Sequence, residues 1–150
     1  MTTDVDPSQN DPDALRDALV QMAFSLMATL TEVAAEHDMS LTQLRVLGIL
    51  RDREPTIADL ANYLGLERST VSGLVDRAAQ RGLVAKTSDP VDGRSVRVRL
   101  TPLAWQLNPA ISAAVGESTA SLTARLTAGE RKRLTALLTK ALDMDRPPAP

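Results

Sequence analysis

Apolar residues recur along the chain at two different spacings, and the switch between them separates its parts. From Leu15 to Val33 the spacing is helical. Leu15, Leu19, Met22, Leu26, Leu30 and Val33 share one stripe, with Ala18, Ala23 and Ala34 beside them, which predicts a long first helix. Ser40 followed three residues later by Gln43 has the capping-box form, and Leu44, Leu47 and Leu50 carry a second helix to about Arg53, where Pro55 stops it. Thr56 caps a short third helix with Ile57, Leu60, Ala61 and Leu64 inward. Gly65 supplies its left-handed end, and Leu66 is expected to pack the turn. The fourth helix runs from Arg68 to about Arg81. Val71, Leu74, Val75 and Ala78 form its apolar stripe, and Arg68, Ser69, Ser72, Gly73, Asp76, Arg77 and Gln80 its opposite face.

After Gly82 the period falls to two. Leu83, Ala85 and Thr87 alternate with Val84 and Lys86. Beyond the Asp89-Pro90-Val91-Asp92-Gly93 turn, Val96, Val98 and Leu100 alternate with Arg97 and Arg99, which predicts an antiparallel hairpin with one apolar face. The helical period then returns. Thr101 caps a fifth helix with Pro102 in its first turn, and Pro109 falls inside that helix, where a kink is expected. Thr127 and Glu130 form another capping box before Leu134, Leu137, Leu138, Ala141 and Leu142. Residues 1–12, with Asp, Asn, Ser and Pro, and the proline-rich 146–150 have almost nothing to bury and are expected to be a disordered lead-in and tail. The fold class is therefore mainly α with a small β-hairpin, in a single domain over 13–145.

Composition narrows the function. The 150 residues are 43% hydrophobic and 24% charged, and no uninterrupted apolar run approaches the roughly 18 residues of a membrane helix. With no signal-peptide pattern and no cysteine, disulfides and thiolate zinc sites are excluded, and a cytoplasmic location with no membrane partner is expected. The net charge of −2 hides an asymmetry. Residues 1–40 carry one cation against eight carboxylates, net −7, whereas residues 67–101 carry seven cations against four, net +3. Aromatic residues are only 2% and lie outside the basic segment, so base stacking on single strands is disfavoured and duplex DNA favoured.

Two helices joined through a glycine turn, followed by a hairpin with an arginine at its tip, have the logic of a helix-turn-helix with a wing. The small centre of the fourth helix lets its backbone approach base edges, while flanking arginines reach phosphate or guanine. Arg94, beside the turn, can enter a narrow minor groove. Asp92 serves as an orienting partner for that arginine or as a turn former.

The motifs Ala58-Asp59-Leu60-Ala61 with Leu64-Gly65, the stretch from Glu67 to Val84, and the Asp92–Thr101 wing followed by a new helix resemble the MarR family. The resemblance covers about residues 13–143. It implies a winged helix-turn-helix regulator, commonly a ligand-responsive repressor, acting as a homodimer on a pseudo-palindromic operator. Residues 13–37 and 101–143 would form the dimerisation region and 40–100 the DNA-binding lobe. Position by position it places DNA contacts on Arg68, Ser69, Thr70, Ser72, Gly73, Arg77 and Arg94, with Asp92 orienting the wing. Many members carry arginine where this chain has Gly73, which shifts the expected reading onto Arg68 and Arg77. Small lipophilic or phenolic effectors are implied by the resemblance alone, and no residue here identifies one.

Other readings carry less. His37, the only histidine, lacks companion ligands at metal-binding spacing, and no nucleophile–base pair or glycine-rich phosphate loop is present, so no cofactor and no enzymatic activity are expected. Met22, Met27 and Met39 are core filler or cleft lining. Trp105 reads as an interface residue, and Arg131, Lys132 and Arg133 as a solvated basic run. The alternative function is a winged-helix module that holds a protein partner without binding DNA.

Overall fold

Residues 12–142 are described by a computed structural model, and hydroxyl caps mark most of its helix starts. Helix α1 (Pro12–Glu36) opens on a proline, whose missing amide falls where no helical bond is made. Helix α2 (Leu41–Leu50) begins at Ser40: the Gln43 amide donates to the Ser40 hydroxyl, and the Ser40 amide donates to the Gln43 side chain. The same reciprocal pair forms at Thr56 and Asp59 before α3 (Ile57–Leu64), and at Thr127 and Glu130 before α6 (Ala128–Ala141). Thr101 caps α5 (Pro102–Ala120), accepting from the Ala104 amide at 3.2 Å. A 3-10 turn, Ser121–Thr123, joins α5 to α6.

Left-handed glycines close the two helices between these caps. Gly65, at φ 66°, ends α3 and lets the Leu66 amide bond back to the Ala61 carbonyl. Gly82, at φ 72°, ends α4 (Arg68–Gln80), with Leu83 bonding to Ala78. Strands β1 (Val84–Ser88) and β2 (Val96–Leu100) pair antiparallel, Val84 opposite Leu100 and Ser88 opposite Val96. The Val98 amide also donates to the Pro55 carbonyl, so the segment entering α3 docks on the free edge of β2.

One core joins the end of α1, helices α2 to α4, the hairpin and the start of α5. Leu60, Val71, Val75 and Val98 are fully enclosed within it. The four residues of the fourth-helix stripe, Val71, Leu74, Val75 and Ala78, are all buried. Gly48, in the middle of α2, is different: a methyl group there meets nothing within 4 Å. Gly48→Ala is expected to raise stability by about 0.5–1 kcal/mol in urea unfolding, because it removes backbone freedom from the unfolded chain without a clash.

Several expectations change. Helix α2 stops at Leu50, with Arg51 as its cap, and buries Val46, which the leucine spacing had not singled out. Leu66 and Val96 remain 39% and 38% exposed, so neither is core. Pro12 belongs to α1, not to a lead-in; residues 1–11 and the 146–150 tail lie outside the described residues. Helix α5 continues past Pro109.

The largest change concerns α1. Of its long stripe only Val33, with neighbouring Ala34, is buried, while Leu15, Leu19 and Phe24 are more than half exposed. No charge interrupts residues 18–31, and by length and composition α1 could cross a membrane. This corrects the expectation that no segment qualifies. Gln21, Ser25, Thr29 and Thr31 break the run to the eye but lower its mean hydropathy little.

Candidate nucleic-acid interface

Helix α4 sits on the core by its apolar stripe, which fixes what it turns outward. Arg68, Ser69, Thr70 and Arg77 are exposed and Ser72 and Gly73 half-exposed, so the small centre and charged flanks lie on the solvent side. A methyl group added at Gly73 would approach only the Arg77 guanidinium, at 3.4 Å, so nothing but that mobile side chain overhangs the helix centre. Glu67 occupies the N-cap but makes no side-chain capping bond. The first-turn amides are thus left for solvent or for an anionic partner.

The basic residues of this segment divide by what they already hold. Arg81, just past α4, donates to the carbonyls of Asp38 (2.6 Å) and His37 (3.2 Å), tying the end of α4 to the end of α1. Asp38 adopts a left-handed φ of 56° there. Lys86 pairs with Asp76 at 2.6 Å, and both side chains are more than two-fifths exposed, so the pair adds little stability. It does offset the one carboxylate on the outward face of α4. Arg97 is committed to Asp89 and to the Glu54 carbonyl. Arg68, Arg77, Arg94 and Arg99 have no side-chain hydrogen bond or ion pair among the described residues.

The wing tip is built by two aspartates with different tasks. Asp92 accepts from the Arg94 amide at 3.1 Å and from the Ser95 hydroxyl, so of the two roles open to it the contacts are those of a turn former. It makes no ion pair with the Arg94 side chain. Asp89, 6% exposed, is the buried anchor. Its carboxylate accepts from the Val91 amide at 2.7 Å and the Asp92 amide at 3.0 Å, and pairs with Arg97, whose guanidinium also reaches the Glu54 carbonyl at 2.8 Å. Those two amides, more than Arg97, hold the Asp89 carboxyl below its ordinary 3.8, against an opposing effect of burial. Sequence reading missed this anchor. The only local hint was a carboxylate at the first position of a Pro-containing turn.

Residues of α1, α2, β2 and α5 line a half-open, mainly apolar cavity of about 520 Å³. Met27 contributes to its wall, whereas Met39 is core and Met22 is on the surface. Trp105 is 49% exposed, and His37 and Arg81 both border a smaller hollow.

Residues 37–95 match the sequence profile of the MarR family. The chain is 31% identical over 119 residues to the HTH-type transcriptional repressor NicR of Pseudomonas putida, spanning 79% of this chain and 75% of NicR. Its fold matches that of a mutant MarR from E. coli complexed with operator DNA, at TM-score 0.70 and 26% identity over 86% of this chain and 94% of that one. It also matches Bordetella bronchiseptica BpsR, whose DNA binding is regulated by 6-hydroxynicotinic acid, at TM-score 0.68 and 27% identity over 89% and 94% of the two chains. With the helix-turn-helix, the wing and the long flanking helices all in place, the chain belongs to the MarR family of winged helix-turn-helix transcriptional regulators.

Proposed function

We propose that this chain is a cytoplasmic transcriptional repressor that binds a pseudo-palindromic duplex as a homodimer and releases it when a small organic ligand fills the cavity beside the DNA-binding lobe. One observation carries the DNA-binding part. The chain spends Arg81, Lys86 and Arg97 on its own architecture and leaves Arg68, Arg77 and Arg94 uncommitted on the recognition helix and the wing tip. Uncommitted guanidiniums beside a small-residue helix face suit a major groove flanked by phosphates, and a lone arginine on a tight turn suits a minor groove. Ser69, Thr70 and Ser72 add hydroxyls for phosphate or base edges, Gly73 allows close approach, and Asp92 shapes the turn that carries Arg94.

The homodimer is supported by the exposed apolar residues of α1, α5 and α6, including Leu19, Leu103 and Leu138. Two-fold pairing would cover them and set two recognition helices about 34 Å apart, one turn of DNA. Ligand release is supported by the cavity and by the regulated relative BpsR.

Arg94→Ala tests the wing. Its operator affinity is expected to fall on the order of tenfold at moderate salt, and the slope of log K against log salt to shrink by about 1 per protomer. Unchanged affinity and slope in a fluorescence-anisotropy titration would remove Arg94 from the interface.

A further inference from the structure

The cavity and the helix-turn-helix share one side chain. Arg45, on α2, borders the 520 Å³ cavity and at the same time donates to the Tyr63 carbonyl at 2.8 Å. Tyr63 lies in the last turn of α3, where carbonyls run out of helical donors. Leu66 and Gly65 serve the carbonyls of Ala61 and Asn62, and Arg45 serves the next one. A cation there is also favoured by the negative end of the helix. The bond spans 18 residues and ties α2, a cavity wall, to the turn through Gly65 and Leu66 that sets the start of α4.

A second cation borders the same space. Arg51, at the end of α2, lines the cavity and its guanidinium has no partner among the described residues. The rest of the wall is largely aliphatic, with Leu30, Leu44, Leu47 and Ile111 among its residues. Two arginines bordering a largely apolar cavity suit an organic anion with an apolar body.

We infer that Arg45 is a latch: an amphipathic carboxylate seated in the cavity draws its guanidinium away from the Tyr63 carbonyl, uncaps α3 and loosens the turn that positions α4. A carboxylate competes well, because a charge-assisted bond to guanidinium is about twice as strong as one to a neutral carbonyl. Arg51 attracts the anion and Arg45 converts its arrival into a change at the recognition helix. This rests on the cavity being the ligand site of a DNA-binding regulator. By linkage, DNA and ligand must weaken each other by the same factor.

The probe is 2-naphthoate, with its neutral amide as control. In hydrogen exchange without DNA, naphthoate is expected to speed exchange of the 64–68 amides in the wild type, while the amide does not. Arg45→Gln is expected to show that fast exchange without ligand and no further change. On a selected operator duplex, naphthoate is expected to weaken the wild type by about 5- to 150-fold. Arg45→Gln is expected to bind as the naphthoate-saturated wild type does, without response, and Arg45→Lys to recover part of the difference. A variant Arg45→Gln that keeps the wild-type response to naphthoate, or a naphthamide that acts as strongly as naphthoate, would overturn the latch. So would the absence of calorimetric naphthoate binding to the wild type. If the wild type retarded no duplex, the DNA-binding reading would fail by itself, and the exchange arm would still decide whether Arg45 couples the cavity to the turn.

Discussion

A chain carrying both Leu19→Glu and Leu138→Glu is expected to sediment as a monomer and to bind its operator roughly 10²- to 10⁴-fold more weakly than the parent. The reasoning begins with exposure. Leu19 and Leu138 are 53% and 43% exposed, among apolar side chains of α1, α5 and α6 that the described residues leave largely uncovered. Each protomer presents one recognition helix, so a dimer gains its second half-site as an intramolecular event at high effective concentration. Four glutamates across a two-fold interface place like charges in an apolar seam, where desolvation and repulsion act together. Neither residue belongs to the core, so the thermal unfolding of the lobe itself should survive. A stable dimer in analytical ultracentrifugation would mean that these faces do not make the interface.

The second large effect concerns the wing. Asp89→Ala is expected to lower operator affinity as much as Arg94→Ala does, although Asp89 is buried and cannot touch DNA. Removing the carboxylate releases the amides of Val91 and Asp92 and strips Arg97 of its ion-pair partner, so the turn loses the bonds that fix it. The loop that carries Arg94 then loses its fixed position. The double variant should therefore bind no worse than either single variant, because the two act through one structure. Additive losses would show that Asp89 works elsewhere.

The protonation behaviour of the same group sharpens this. Because the folded carboxyl titrates below 3.8, its stabilisation is complete above that value and is lost only as pH falls through the lower folded value. Wing-dependent affinity should consequently be flat between pH 5 and 8.

The parts legible in the sequence were those decided within a few residues. A hydroxyl three positions before a glutamine or glutamate can satisfy helix amides by itself, so the starts at Ser40 and Thr127 could be located without tertiary knowledge. The buried stripe of α4 was equally plain, since a 3.6-residue period leaves a short helix only one apolar face. The missed features join distant segments. Arg97 reaches Glu54 across 43 positions and Arg45 reaches Tyr63 across 18, and nothing local marks an arginine as spent on a carbonyl rather than free for DNA. Nor does an apolar stripe say who covers it. Val33 and Leu19 look alike in the pattern, yet one is buried and the other is 53% exposed.

The most direct test of the account is selection of random duplexes by the purified protein at about 0.1 M salt, where non-specific phosphate binding is suppressed. The account predicts recovery of an inverted repeat whose half-site centres lie about one helical turn apart, bound on the order of tenfold more weakly by Arg94→Ala. Recovery of nothing above background, or of a motif without two-fold symmetry, would contradict it and favour a winged helix that serves a protein partner.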